Sequence, residues 1–219
     1  MFIGHLGAGL ALKKMDRTTN LGLFMASVML LDFLLWIFVL LKIEFVTIPE
    51  NYSQIHYLLF QFPFSHSLVA SLCWSVLVFV LIKLISKKNL TAGLMALGVF
   101  SHFVFDFIAH PPRIPLMGED SMKMGLSLWN IMPLELSLEF IILAAGMYAH
   151  LSVTTTSTAG GKYGLIVLMI FLVIAAFTGQ LLGPAPQSSS QVALSSIFTI
   201  VITVLLTFYL DRKRISKPI

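Results

Sequence analysis

The stretch Ser101-His102-Phe103-Val104-Phe105-Asp106-Phe107-Ile108-Ala109-His110-Pro111 reads as the outer end of a membrane-spanning helix that carries three possible metal ligands. His102, Asp106 and His110 recur every four residues, so on a helix they share one face, with a drift of roughly 40° per step. The residues between them are all apolar. An ionisable side chain in a bilayer costs roughly 3 kcal/mol or more unless it is paired or solvated, so three on one stripe point to a function. The competing explanation is a hydrogen-bonded packing network between helices.

The rest of the chain agrees with a membrane setting. Its 219 residues are 58% hydrophobic and only 11% charged, with a mean hydropathy of +0.93. No soluble domain is built this way, whereas polytopic membrane proteins are. The expected fold is an all-α bundle of about six transmembrane helices plus a short N-terminal half-helix, forming a single integral-membrane domain over 1–219. The net charge of +4 does not argue for nucleic acid, because the basic residues flank the apolar runs, where topology explains them. Cys73 is the one cysteine, so a metal here needs His and carboxylate ligands and no intramolecular disulfide is available. The apolar run at the N-terminus is short and has no basic stretch before it, so no cleavable signal peptide is expected.

Taken in order, residues 2–12 form a short apolar helix containing His5, closed by Lys13, Lys14 and Arg17. Spans follow at about 21–43, with Asp32 as the one ionisable residue inside it, and at 65–85, opened by Phe62-Pro63-Phe64-Ser65-His66-Ser67. The next, 90–110, ends in the opening motif, and Pro111, Pro112, Pro115 and Gly118 then force a loop. The span 133–151 carries Glu135 and Glu139 in its first turns. The polar run 152–161 reads as a flexible connector, and the last spans lie at 163–182 and 192–210. Eleven Lys or Arg fall on one side of this arrangement and only Lys42, Arg113 and Lys123 on the other. The positive-inside rule therefore puts the N-terminal side and the C-terminus in the cytoplasm, in an inner membrane.

That topology brings His5, Asp32, His66, His102, Asp106, His110 and Glu139 to one side, where they can line a cavity opening outward. Glu135, a turn nearer the boundary, is read as solvated or as a helix N-terminal acid. His56 and His150 sit in or beside loops, and Trp36, Trp74 and Trp129 read as packing or interfacial residues. Imidazoles and carboxylates from separate elements suit zinc, which activates water and polarises a phosphoryl or carbonyl oxygen.

Several ordered motifs resemble the YdjM-type membrane-bound metal-dependent hydrolases of bacteria. They are Met1 to His5, Asp32 with Trp36, Phe62 to Leu68, and Ser101-His102 through Asp106 to His110-Pro111. Gly125-Leu126-Ser127-Leu128-Trp129-Asn130, then Pro133, Glu139 and Gly183-Pro184, fit a permease-like branch of that family. Its remote similarity to the zinc-dependent phospholipase C and single-strand nuclease superfamily implies one to three zinc ions, or another divalent metal. It carries ligand roles onto His5, Asp32, His66, His102, Asp106 and His110. Glu135 and Glu139 stand where the superfamily has a later His-x-x-x-Glu or His-x-x-x-Asp pair.

The expected activity is hydrolysis of phosphoester or lipid-linked substrates drawn from membrane lipids, with no nucleic-acid partner. Asp32 or Asp106 would act as base on the attacking water, and Arg113 would steer an anionic head group. Two alternatives use the same residues: a small transporter relaying protons or metal ions, and a non-catalytic scaffold.

Overall fold

The computed structural model describes residues 1–217. It is an all-α bundle. Helix α1 (Phe2–Met15) is followed by α2 (Leu21–Val28) and α3 (Leu30–Leu40), then a short β-hairpin of β1 (Phe45–Thr47) and β2 (Leu59–Gln61) that encloses the single turn α4 (Tyr52–Ile55). Next come α5 (Leu68–Ser86), α6 (Asn89–Ala109), the two-residue pair β3 (Ile114–Pro115) and β4 (Lys123–Met124), and a 3-10 turn at Leu128–Ile131. The chain continues through α7 (Met132–Val153), β5 (Thr154–Thr155), α8 (Ala159–Leu182), α9 (Ser189–Asp211) and β6 (Ile215–Ser216). Among the described residues five helices are long and apolar enough to cross a membrane, and six if α2 and α3 count as one broken span.

Local chemistry sets the helix ends. The side chains of Asn20, Ser67, Thr158 and Ser188 accept hydrogen bonds from first-turn amides of α2, α5, α8 and α9. Each satisfies a donor that the helix itself leaves open. Helix α6 stops at Ala109 because Pro111 forces His110 into an extended conformation (ψ 143°).

The centre of the bundle is α1. At 14 residues it is about 21 Å long and too short to cross a hydrocarbon core of about 30 Å. It is enclosed by α7, α2 and α6, and Ile3, Leu6 and Leu10 on it are wholly buried. Its approach to α7 is backbone to backbone: a Cβ on Gly146 would run into the Gly7 carbonyl oxygen, and one on Gly7 would meet the Ile142 carbonyl at 2.5 Å. Small residues let helix backbones approach this closely where no hydrophobic force separates helix from lipid.

Two features depart from the sequence reading. The span expected at 21–43 is broken at Met29, with α2 and α3 inclined by 52°, and the Val28 carbonyl at the break accepts a hydrogen bond from His102 Nδ1 (2.7 Å). A side chain inserted at a helix break is a recognised cause of such a bend. The connector expected to be flexible over 152–161 is ordered instead. Thr154 and Thr155 pair with Ser216 and Ile215, and the Arg214 guanidinium donates to Thr154 Oγ1 and to the Gly161 carbonyl.

The two ends of the bundle differ. At the basic end, Lys13 Nζ bonds Asp211 Oδ2 (3.1 Å) and the Thr19 carbonyl (2.7 Å). There Asp16 gathers the hydroxyls of Thr18, Thr19 and Thr91 at 2.6–2.7 Å. Burial alone would raise the Asp16 pKa, but these bonds outweigh it and hold the carboxyl well below the usual carboxylate range. The opposite end holds the opening motif.

Candidate metal centre

His102 and Asp106 project from α6 into the bundle, and both are buried. Around them gather His5 from α1, Asp32 from α3, and His66 from the turn before α5. His66 Nε2 and His102 Nε2 stand 3.2 Å apart, and each is 3.4 Å from Asp106 Oδ2. These three atoms form a nearly equilateral triangle. Asp32 Oδ1 lies 3.6 Å from both imidazole nitrogens. A tetrahedral zinc site with arms of about 2.1 Å has ligand-to-ligand edges of about 3.4 Å, so the triangle of His66, His102 and Asp106 has the spacing of one face of a coordination shell.

The surroundings decide what the two imidazoles present to each other. His102 Nδ1 faces only the Val28 carbonyl, an acceptor, so the proton is on Nδ1 and the Nε2 lone pair is free. His66 Nδ1 is 2.7 Å from Ser65 Oγ. That hydroxyl has one proton and gives it to Glu44 Oε2 (2.7 Å), so it accepts from His66 Nδ1–H. Glu44 is fixed in turn by the backbone amides of Phe64 and Ser65, both 2.8 Å from Oε1. Burial pushes the Glu44 carboxyl up, against the hydrogen bonds from Ser65. In their neutral forms both rings therefore turn an Nε2 lone pair toward the same region, beside Asp106 Oδ2 and Asp32 Oδ1. A cation held between them, either a metal ion or a shared proton, satisfies both nitrogens. Carboxylate- and carbonyl-oriented imidazoles of this kind are characteristic of metal ligands.

Asp106 is the hub. Its Oδ1 accepts from the Met1 α-ammonium (3.1 Å) and lies 3.2 Å from His5 Nε2, while its Oδ2 is 3.6 Å from His110 Nε2. His5 stacks on His102 with ring centres 3.7 Å apart. His110 lies against Trp129, with ring centres 3.9 Å apart. Trp129 is placed there because the Gly125 loop is tied to the end of α6: Leu126 N donates to the Phe107 carbonyl, and Ser127 N to the His110 carbonyl. Gly125 has φ +151°, and a Cβ on it would meet the Pro111 carbonyl at 2.5 Å.

The buried groups His66, His102 and Asp106 can hold a metal ion, as can His5, Asp32 and His102. All six residues of the carried-over set therefore converge. Glu139 has a different partner: its Oε2 accepts from Gly4 N (2.8 Å), at the N-terminus of α1. Glu135, read as solvated, is only 2% exposed, and its Oε1 has no hydrogen-bond partner. It is enclosed because α1 and the turn carrying Trp129 pack against α7 there. Arg113 is exposed on the loop after α6 and is not in the cavity lining. His150 is wholly buried at the other end of α7. The sequence reading missed Glu44 and the role of Ser65. The adjacency of Ser65 to His66 was the one available signal for either.

A cavity of about 520 Å³ adjoins the cluster. Asp32, His66, Asp106, His110, Glu135 and Glu139 line its polar side, while His5 and His102 lie behind them. Tyr52, Tyr57 and Phe60 from the hairpin form part of its roof. The roof is fastened by Tyr57 Oη to Asn130 Oδ1 (3.2 Å) and by Gln180 Nε2 to the His56 carbonyl.

Fold and site together define a polytopic helical bundle with a buried His/Asp centre that can hold a metal. No family model, curated protein or solved structure matches the chain.

Proposed function

We propose that this protein is a zinc-dependent membrane hydrolase acting on phosphoester or lipid-linked substrates, with its site toward the extracytoplasmic side. The observation that carries the reading is the pair of buried Nε2 atoms 3.2 Å apart, with Asp106 Oδ2 completing the triangle. Imidazole and carboxylate without thiolate is the donor set of hydrolytic zinc. The likeness of the His5, Asp32, His66, His102, Asp106 and His110 order to YdjM-type hydrolases supports the same reading.

His66, His102 and Asp106 are the three protein ligands, and the cavity side is left for water and substrate. An ion held by them would supply Lewis acidity for hydrolysis. Asp32 is the only one of the four groups with appreciable exposure, its side chain being 23% accessible. It therefore faces the water and takes its proton as base. The water oxygen bonds to phosphorus, the ester P–O bond breaks, and the proton held on Asp32 goes to the leaving oxygen. Asp106 is held in place by the Met1 ammonium and His5 on its far oxygen, so its near oxygen is kept for the ion.

Transport by the same residues is less well supported. Below His102, Leu6, Leu10, Met25 and Val28 are all wholly buried and pack apolar side chains along α1 toward the basic end. The test is turnover by purified, zinc-loaded protein of a soluble phosphoester such as p-nitrophenyl phosphate and of lipid-linked phosphates. Hydrolysis lost in Asp32→Asn is expected. Absence of turnover across these esters, together with ion flux in proteoliposomes, overturns the reading.

A further inference from the structure

Part of the cavity wall lies away from the metal cluster. There the cavity runs between α8 and α9, walled by Leu172 and Ala176 on one side and Val192, Thr199 and Ile200 on the other. Ala175, Gly179 and Ser195 also line it and are themselves exposed. Both helices are long and apolar enough to cross a membrane, and exposed residues on both of them line the cavity between them.

Volume limits the occupant. At roughly 30 Å³ per non-hydrogen atom, about the share of one water in the liquid, 520 Å³ holds on the order of 17 atoms. A phosphate head and one chain of about a dozen carbons fill it. A two-chain phospholipid is too large to lie wholly inside it. Small side chains at Ala175, Ala176 and Gly179 leave width for one chain. This wall is uncharged, mixing Leu172, Ala176, Val192 and Ile200 with the hydroxyls of Ser195, Ser196 and Thr199, while the lining carboxylates lie beside the metal cluster.

We infer that the part of the cavity between α8 and α9 is a binding site for the single apolar chain of a membrane amphiphile, which enters sideways from the bilayer and places its phosphate head beside Asp32 and His66. The head-group part rests on the hydrolase reading above; the chain site does not.

The probes are dodecyl phosphate and farnesyl phosphate, with a two-chain phosphatidate for comparison, bound to zinc-loaded protein in detergent and followed by Trp129 and Trp36 fluorescence. Either single-chain phosphate should bind at least about tenfold more tightly than the phosphatidate, and whichever is preferred identifies a straight or an isoprenoid chain. Ala176→Trp, and separately Thr199→Trp from the facing wall, should weaken that binding by about tenfold or more. Zinc content and turnover of p-nitrophenyl phosphate should be unchanged in both. Equal binding of the phosphatidate, or unaltered dodecyl phosphate binding in both folded variants, overturns the chain site. Tight chain binding with no ester turnover overturns the hydrolase reading and leaves the chain site standing.

Discussion

Asp32 and Asp106 are both carboxylates beside the same two imidazoles, yet their settings assign them different work. Asp106 is nearly enclosed and bonded on its far oxygen to Met1 and His5, whereas Asp32 faces the cavity. Asp32→Asn should therefore keep stoichiometric zinc while lowering kcat by about 10²–10⁴, read from elemental analysis beside steady-state kinetics. Asp106→Asn should lose the metal as well. Behind His66, the chain from Ser65 to Glu44 fixes the imidazole tautomer, and Ser65→Ala should weaken zinc binding by about 10–100-fold in a chelator competition. At this scale much was legible in the sequence. Residues four apart on an apolar helix declare a shared face, and an isolated Asp32 in a long apolar run declares a buried purpose. Glu44 was not legible, since an acid in a polar loop looks solvated until the fold closes over it. Nor was Glu135, whose burial depends on α1 being drawn into the bundle beside it.

The central element is α1, which spans nothing and is enclosed on most sides. Its position relies on the close crossing with α7 at Gly7 and Gly146 and on Glu139 bonding the Gly4 amide. Gly146→Ala forces the backbones apart and should cost about 1–3 kcal/mol or more, measured as a lowered midpoint of thermal unfolding in detergent. It should also reduce zinc affinity by withdrawing His5 and Met1 from Asp106. At the other end of α1, the Asp16 carboxyl is held ionised by Thr18, Thr19 and Thr91. Its folded pKa lies below the unfolded value of about 3.9. Its contribution is present in full above that value and is lost as pH falls through the folded pKa. Asp16→Asn should therefore destabilise the protein at pH 7, with the gap to the native protein closing as pH drops below about 4, in unfolding series across pH. Hydropathy alone revealed the helices and the short length of α1. It could not reveal the 52° break at Met29, because no Pro or Gly marks the site and the cause is a histidine seventy-four residues away. The ordering of Thr154 and Thr155 was hidden for a similar reason, since their partner strand is supplied by the C-terminal tail.

At the scale of the molecule, the bundle separates a basic, hydrogen-bonded end from an end where buried His and Asp side chains that could hold a metal meet beside a cavity. The ion is the premise on which the other assignments depend. X-ray absorption at the metal edge of protein purified without chelators tests it most directly. One zinc per chain should be found, with a shell of nitrogen and oxygen only at about 2.0–2.1 Å and the outer-shell signature of two imidazoles, reduced to one in His66→Ala. Folded protein that binds no metal, or a metal whose shell is unchanged in both His66→Ala and His102→Ala, would contradict the assignment.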